Sequence, residues 1–242
     1  MHKKVLLVQF RSDVSKDHEP VCFLNKLKID ESKFKIINPV MDEIEQDPKK
    51  LLEDVSMVIF GGSGQFDLSK NPPELQKAIP QVEPLIKYVL ENDFPTLAIC
   101  FGLQLVANKL GATVSPIPEM AESDMIEISL NENAKKDKIF KNFPEKMHLM
   151  MGHKESVTNL PEEVTLLASS PTCPVHAYRY KENIYGLQGH PELGVEDIVF
   201  RWNLYPQYVQ GKNVEEMKSK LKETTDAEKL LHDIVQFYYD KG

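Results

Sequence analysis

The chain has 242 residues, ample for a hydrophobic core, with 37 acidic against 29 basic side chains and a pI near 5.5. That balance leaves no electrostatic footprint for nucleic acid, and no stretch of the sequence approaches a membrane span. Three widely spaced cysteines, Cys22, Cys100 and Cys173, make no disulfide framework, and MHKKVLLVQF does not read as a signal peptide, so the expected setting is the cytoplasm.

Lys4 to Phe10 reads as a strand covered on both faces. Val14 to Leu27 follows as a helix in which Pro20 is tolerated only in the first turn; His18 and Glu19, which follow the first strand, read either as lining the cleft mouth or, the preferred reading, as a solvated helix start. Phe34 to Ile37 is a second strand. Leu51, Leu52 and Val55 belong to a helix, and Met57 to Phe60 is a third strand, leading into Gly61-Gly62-Ser63-Gly64. A helix carrying Ile79, Val82, Ile86, Tyr88 and Val89 precedes the strand Thr96 to Ile99. This alternation predicts a parallel sheet with helices on both sides and ligands at the carboxyl ends of its strands. The glycine loop and Cys100 both fall at such ends.

The stretch from Phe94 to Gly111 carries the chemistry. A short apolar strand ends at Cys100, and Leu103, Val106, Ala107 and Leu110 then share one face of a helix that Gly111 stops. Cys100 thus sits on a strand-to-helix turn, flanked by the small residues Ala98 and Gly102, in a nucleophile elbow of the A-x-C-x-G form. The helix N-terminus favours the thiolate, and the Phe101 N–H is aimed where an oxyanion would form. An inert cysteine packed at a strand end is the competing reading.

Beyond Gly111 the chain reads as mostly antiparallel additions to the sheet: Met125 to Leu130, Val164 to Ala168, and a hairpin of Val175 to Tyr180 with Ile184 to Gln188. Met147 to Val157 reads as a polar loop between apolar segments. In the extended segment Gln188-Gly189-His190-Pro191-Glu192, residues two apart share a side, so His190 and Glu192 project into one cleft. The pair supplies a proton acceptor and the carboxylate that orients it. Further on, Val195 to Tyr205 looks helical, and Asn213 with Glu216 and Thr225 with Glu228 look like capping boxes of two more helices. In the last, Ala227, Leu230, Leu231, Ile234 and Tyr238 make a stripe expected to pack on the parent domain.

Phe60-Gly61-Gly62-Ser63, Ala98-Ile99-Cys100-Phe101-Gly102-Leu103-Gln104 and Gln188-Gly189-His190-Pro191-Glu192 together resemble the class I glutamine amidotransferases, in order and spacing. Met150 to Val157 looks like the loop that the guanylate-synthase branch writes M-S-H-G-D-x-V. The resemblance implies a flavodoxin-like three-layer α/β/α fold over residues 1–204, with a C-terminal helical extension over 205–242. It implies hydrolysis of the γ-amide of glutamine through a thioester on Cys100, with His190 as base and acid and Glu192 as its orienter. Gly62 and Phe101 would form the oxyanion hole, and Gln104, Gly61 and His153 would contact substrate. Neither cofactor nor metal is implied, and the ammonia would pass to a separate synthetase, since no synthetase domain is present in the sequence.

The departures point to a second substrate class. Ala98, Ser63 and Lys154-Glu155 replace the usual glycine, proline and Gly-Asp. Gly189 stands where a phenylalanine is expected, and this version resembles a solitary branch that includes γ-glutamyl peptidases. Loss of the ring beside His190 is expected to widen the site for a larger leaving group. A catalytically silent scaffold is a further alternative, as is zinc held by Cys173 and His176 with His148 or His153, although the spacing is unlike a paired site.

Overall fold

In the computed structural model, which describes residues 3–239, the apolar runs become strands and the amphipathic segments become helices. The first part of the chain contains β1 (Lys4–Val8), α1 (Ser15–Leu27), β2 (Phe34–Ile37), α2 (Pro48–Leu51), β3 (Val55–Phe60), α3 (Pro73–Asn92), β4 (Thr96–Ile99) and α4 (Phe101–Lys109). Seven strands follow: β5 (Val114–Ser115), β6 (Met125–Leu130), β7 (Lys146–Met150), β8 (Ser156–Val157), β9 (Val164–Ser169), β10 (Ala177–Tyr180) and β11 (Ile184–Leu187). The chain ends in α5 (Val195–Leu204), α6 (Val214–Lys218) and α7 (Thr225–Tyr239).

Nine strands form one sheet in the order β2-β1-β3-β4-β11-β10-β9-β6-β7. The first five run parallel, and the remaining four continue the sheet antiparallel. Alternate side chains of the parallel strands feed two cores, as the period of a strand requires. Val5, Leu7, Met57, Ile59 and Leu97 pack under α1 and α7, whereas Leu6, Val8, Val58, Phe60 and Ala98 pack under α3 and α4. This is the expected α/β/α sandwich. Among the described residues no helix is long and apolar enough to cross a membrane.

Three segments differ from expectation. Val55, expected in a helix with Leu51 and Leu52, opens β3 instead, where its β-branched side chain is buried in the sheet, and α2 stops at Leu51. α1 runs straight through Pro20. A proline inside a helix strips the carbonyl four residues earlier of its N–H partner, and here Gln9 Nε2 donates to the Lys16 carbonyl instead, at 2.9 Å. The segment 147–157 is not all loop: it begins inside β7, an edge strand whose Met147 and Leu149 enter the core while Lys146 stays exposed. An edge strand needs apolar residues on only one side, so its pattern is short and easily hidden.

At the C-terminus, Asn213 Oδ1 accepts from the N–H groups of Glu215 (2.9 Å) and Glu216 (3.2 Å) and so caps α6. The stripe on α7 packs into the core beneath α1, so Ala227, Leu230, Leu231 and Ile234 are fully buried. Leu231→Ala is therefore expected to lower the unfolding free energy by about 2–5 kcal/mol. Urea denaturation checks it, as a lower midpoint at unchanged slope.

Candidate active site

β4 and β11 lie side by side with Ile99 opposite Leu187, so the residues just beyond the two strands emerge at one place. Cys100 donates its N–H to the Leu187 carbonyl at 2.8 Å. It adopts φ 51° and ψ −105°, a conformation that costs a residue with a Cβ on the order of 1–3 kcal/mol. The turn closes tightly because Gly102 has no side chain: a Cβ there would fall 2.2 Å from the Phe60 carbonyl oxygen. The elbow is thus present, with the sulfur 3.7 Å from the Gly152 carbonyl oxygen.

His190 is anchored by its backbone N–H, which donates to the Met150 carbonyl at 2.8 Å. Its Nδ1 lies 2.8 Å from Glu192 Oε1, and the ring and the Cys100 side chain both flank Gly62. All three residues are buried, Glu192 completely. Burial alone would pull the imidazolium pKa down, but the Glu192 carboxylate and Cys100 more than reverse this and push it up to about 10. Burial likewise raises the Glu192 carboxyl, and the adjoining His190 brings it below its ordinary value. The ring is therefore charged at neutral pH, with its carboxylate ionised beside it.

Residues 29–197 match the family model for class-I glutamine amidotransferases. One of the subunits of the glutamine-hydrolysing GMP synthase of Pyrococcus abyssi is 34% identical over 148 residues, which is 59% of this chain and 71% of that one. The chain belongs to the class-I glutamine amidotransferase family. The corresponding subunit from Thermoplasma acidophilum is 30% identical over 157 residues, 64% of this chain and 76% of its own. A glutamine amidotransferase of Thermotoga maritima shares the fold over 99% of both chains, with a TM-score of 0.72 at 20% identity. As a member of this family the chain is an enzyme of the glutamine-hydrolysing, cysteine-dependent kind.

The glycine loop of this amidotransferase is engaged in a way the sequence did not suggest. Glu19, expected at a solvated helix start, is fully buried: it pairs with Arg11 Nε at 3.1 Å and accepts from Gln9 Nε2 at 3.0 Å. The Gly62 N–H, expected to face an oxyanion, donates to Glu19 Oε1 at 3.2 Å. The Phe101 N–H opens α4, where a helix has no acceptor of its own to offer. Gly61 donates its N–H to the Val8 carbonyl at 2.9 Å and backs onto the Glu19 carboxylate. Gly62 is pressed against the triad, since a Cβ there would lie 2.8 Å from His190 Cε1 and 3.6 Å from Cys100 Cβ.

The remaining expected contacts separate. Gln104 is buried one helical turn beyond the cysteine and donates to the Glu155 carbonyl (2.7 Å) and to Gln188 Oε1 (3.3 Å), fastening the 152–156 loop to the elbow. His153 faces away from the cleft: its Nε2 lies 3.1 Å from Glu122 Oε2 and its Nδ1 3.1 Å from the Glu155 carbonyl oxygen. Glu122 also meets His176 Nε2 at 3.3 Å, so the histidines considered for zinc share a carboxylate instead, while the Cys173 thiol turns to the Val175 carbonyl. Gly189 does not widen the site. A Cβ there would strike Leu149 Cβ at 2.7 Å and Met151 Cε at 2.9 Å, so the space beside it is filled by core.

A small cavity opens beside His190, walled by Arg11, Arg201, Trp202, Tyr205 and Tyr208. Of these, Arg201 carried a readable signal: it shares one helical face with Ile198, Trp202 and Tyr205, an arginine set in an apolar stripe. Arg11 and Glu19 had none, because only the tertiary fold brings α1 against the glycine loop.

Two outcomes follow from this packing. Gly62→Ala is expected to displace the imidazole and lower kcat/KM for glutamine about a hundredfold, read in a glutamate-release assay. The folded chain also holds the His190 proton more tightly than an unfolded histidine, which titrates near 6.5. That stabilisation is complete below the unfolded value and is lost as the pH rises through about 10. Denaturation at successive pH values is expected to show wild type losing stability relative to His190→Gln between about pH 7 and 10.

Proposed function

We propose that Cys100, His190 and Glu192 are the hydrolytic triad of this amidotransferase and that its substrate is the γ-amide of glutamine. With the Cys100 proton already resting on the charged His190 ring, the sulfur bonds to the amide carbon. Phe101 N–H meets the developing oxyanion, joined by Gly62 N–H as it exchanges Glu19 for the new charge; one such donor is worth roughly 100- to 1,000-fold in rate. The C–N bond then breaks, the imidazolium proton goes to the departing nitrogen, and ammonia leaves a γ-glutamyl thioester. Water adds to the thioester and gives its proton to the ring. The carbon–sulfur bond breaks, the ring keeps that proton, and glutamate is released with sulfur and imidazole as they began.

The observation that carries this reading is a single imidazole that is hydrogen-bonded to Glu192 and flanks Gly62 together with Cys100, at the ends of two paired strands. Charge on the ring suits it to protonate the leaving nitrogen, and Glu192 holds Nδ1 so that Nε2 faces the sulfur. The Pyrococcus and Thermoplasma relatives are each one of the subunits of a GMP synthase. By that likeness we assign the ammonia to a separate synthetase polypeptide.

Cys100→Ala is expected to lower ammonia and glutamate formation from glutamine at least about a thousandfold, measured at matched protein stability. In parallel, a diazo-ketone analogue of glutamine is expected to label the wild-type chain once, at Cys100. A folded protein that neither labels nor turns over would sink the triad assignment and leave a silent partner-binding domain.

A further inference from the structure

Arg201 lies on the buried face of α5 and is 6% exposed. Its Nε donates to His18 Nδ1 at 3.2 Å, which places the ring proton of His18 on Nε2, toward Asp197 Oδ1 at 3.0 Å. The same tautomer disposes of a metal at His18, Cys22 and Asp197, whose ligand atoms lie within 4.8 Å of one another: neither ring nitrogen keeps a free lone pair. Anchored through Nε, the guanidinium borders the cavity beside His190.

Both of its outer nitrogens, Nη1 and Nη2, are buried without a hydrogen-bond partner. Glu19 and Glu192 act on Arg201 only from a distance, whereas Arg11 on the same cavity has Glu19 at 3.1 Å. An unmet buried donor is costly, and a guanidinium fork matches a carboxylate with two parallel hydrogen bonds. The cavity is otherwise largely aromatic and aliphatic, with Trp202, Tyr205, Tyr208, Leu193 and Ile198 on its walls.

We infer that Arg201 is a specificity-determining residue that binds a carboxylate of a γ-glutamyl substrate, an assignment that rests on reading Cys100 and His190 as the adjoining hydrolytic groups. Two carboxylates have the required chemistry: the α-carboxylate of the γ-glutamyl half, and that of an amino acid leaving from the γ-carbon. The cavity in either case adds recognition of an anion to a site that needs only an amide for its chemistry.

Binding to Cys100→Ser protein, followed by calorimetry so that turnover does not intervene, tests this with paired probes. Glutamine is compared with 4-aminobutanamide, which lacks the carboxylate, and γ-glutamylglycine with γ-glutamylglycinamide. Adding Arg201→Met is expected to weaken every probe that carries the bound carboxylate roughly 10- to 100-fold and to spare every probe that lacks it. Weakening of glutamine and of both dipeptides identifies the α-carboxylate, and weakening of γ-glutamylglycine alone identifies the leaving group. Arg201→Lys, which keeps the charge but not the fork, is expected to retain part of the affinity and serves where the methionine variant does not fold. Equal weakening of all four probes, no weakening of any, or no binding of either acid overturns the inference. Diazo-ketone labelling of wild-type Cys100 is scored separately, so a labelled enzyme indifferent to Arg201 leaves the triad standing, and an unlabelled one with acid-selective binding leaves only the anion site.

Discussion

The parallel pairing of β11 with β4 is the constraint on which the site depends. These strands are far apart in the chain, with Ile99 and Leu187 as their paired ends, yet the hydrogen bond from Cys100 N–H to the Leu187 carbonyl continues their ladder into the elbow. Because residues in register leave a parallel sheet at the same edge, the sulfur and the imidazole need only short reaches to meet. A slip of one residue would turn His190 and Glu192 to the opposite face of the sheet. Burial of both faces of β4 and β11 resists such a slip, since Leu97, Ile99 and Leu187 belong to one core and Ala98 and Ile184 to the other.

Around this pairing the molecule buries several charges, and nearly all are matched. Glu192 answers His190, Glu19 answers Arg11, and Glu122 lies between His153 and His176. Breaking one of these pairs by removing a partner leaves the other charge buried and alone, which is far costlier than losing an exposed pair. The pairs also position loops. Glu19 holds the glycine loop through Gly62, and the Glu122–His153 contact, with Gln104 on Glu155, holds the 152–156 loop whose Gly152 faces the sulfur. Arg201 stands apart from these pairs: it lines the cavity, and its two outer nitrogens are buried with no acceptor for either.

The C-terminal region shapes that cavity as well as covering hydrophobic surface. α7 completes the core on one side of the sheet, whereas α5 and the turn after it form a third apolar cluster over the mouth of the elbow. Tyr205 is tied to the start of α1 by its hydroxyl, which donates to Asp13 Oδ2 at 2.8 Å. Arg201, Trp202 and Tyr205 of the cavity wall follow Glu192 in the chain, while Cys100 and His190 come just beyond the ends of β4 and β11.

How much could be read from the chain depends on the range of the interaction concerned. Periodicity placed β1, β3 and β4, and the elbow was legible because strand, cysteine, Gly102 and amphipathic helix are neighbours in sequence. The His190–Glu192 contact was legible because alternate residues of an extended segment share a side. Local pattern failed where a distant group changed the outcome: Gln9 supplies the bond that lets α1 pass through Pro20, and Leu149 with Met151 fills the space beside Gly189. It failed again for Glu19, whose burial depends on Arg11 and the glycine loop meeting it in space. The sequence by itself determined the strands, the elbow and the chemical kind of its three central residues, all set by spacing over a few positions. Only tertiary structure decided which polar groups are buried, whom they face, and what the cavity beside His190 can hold, because desolvation and pairing arise between segments far apart in the chain.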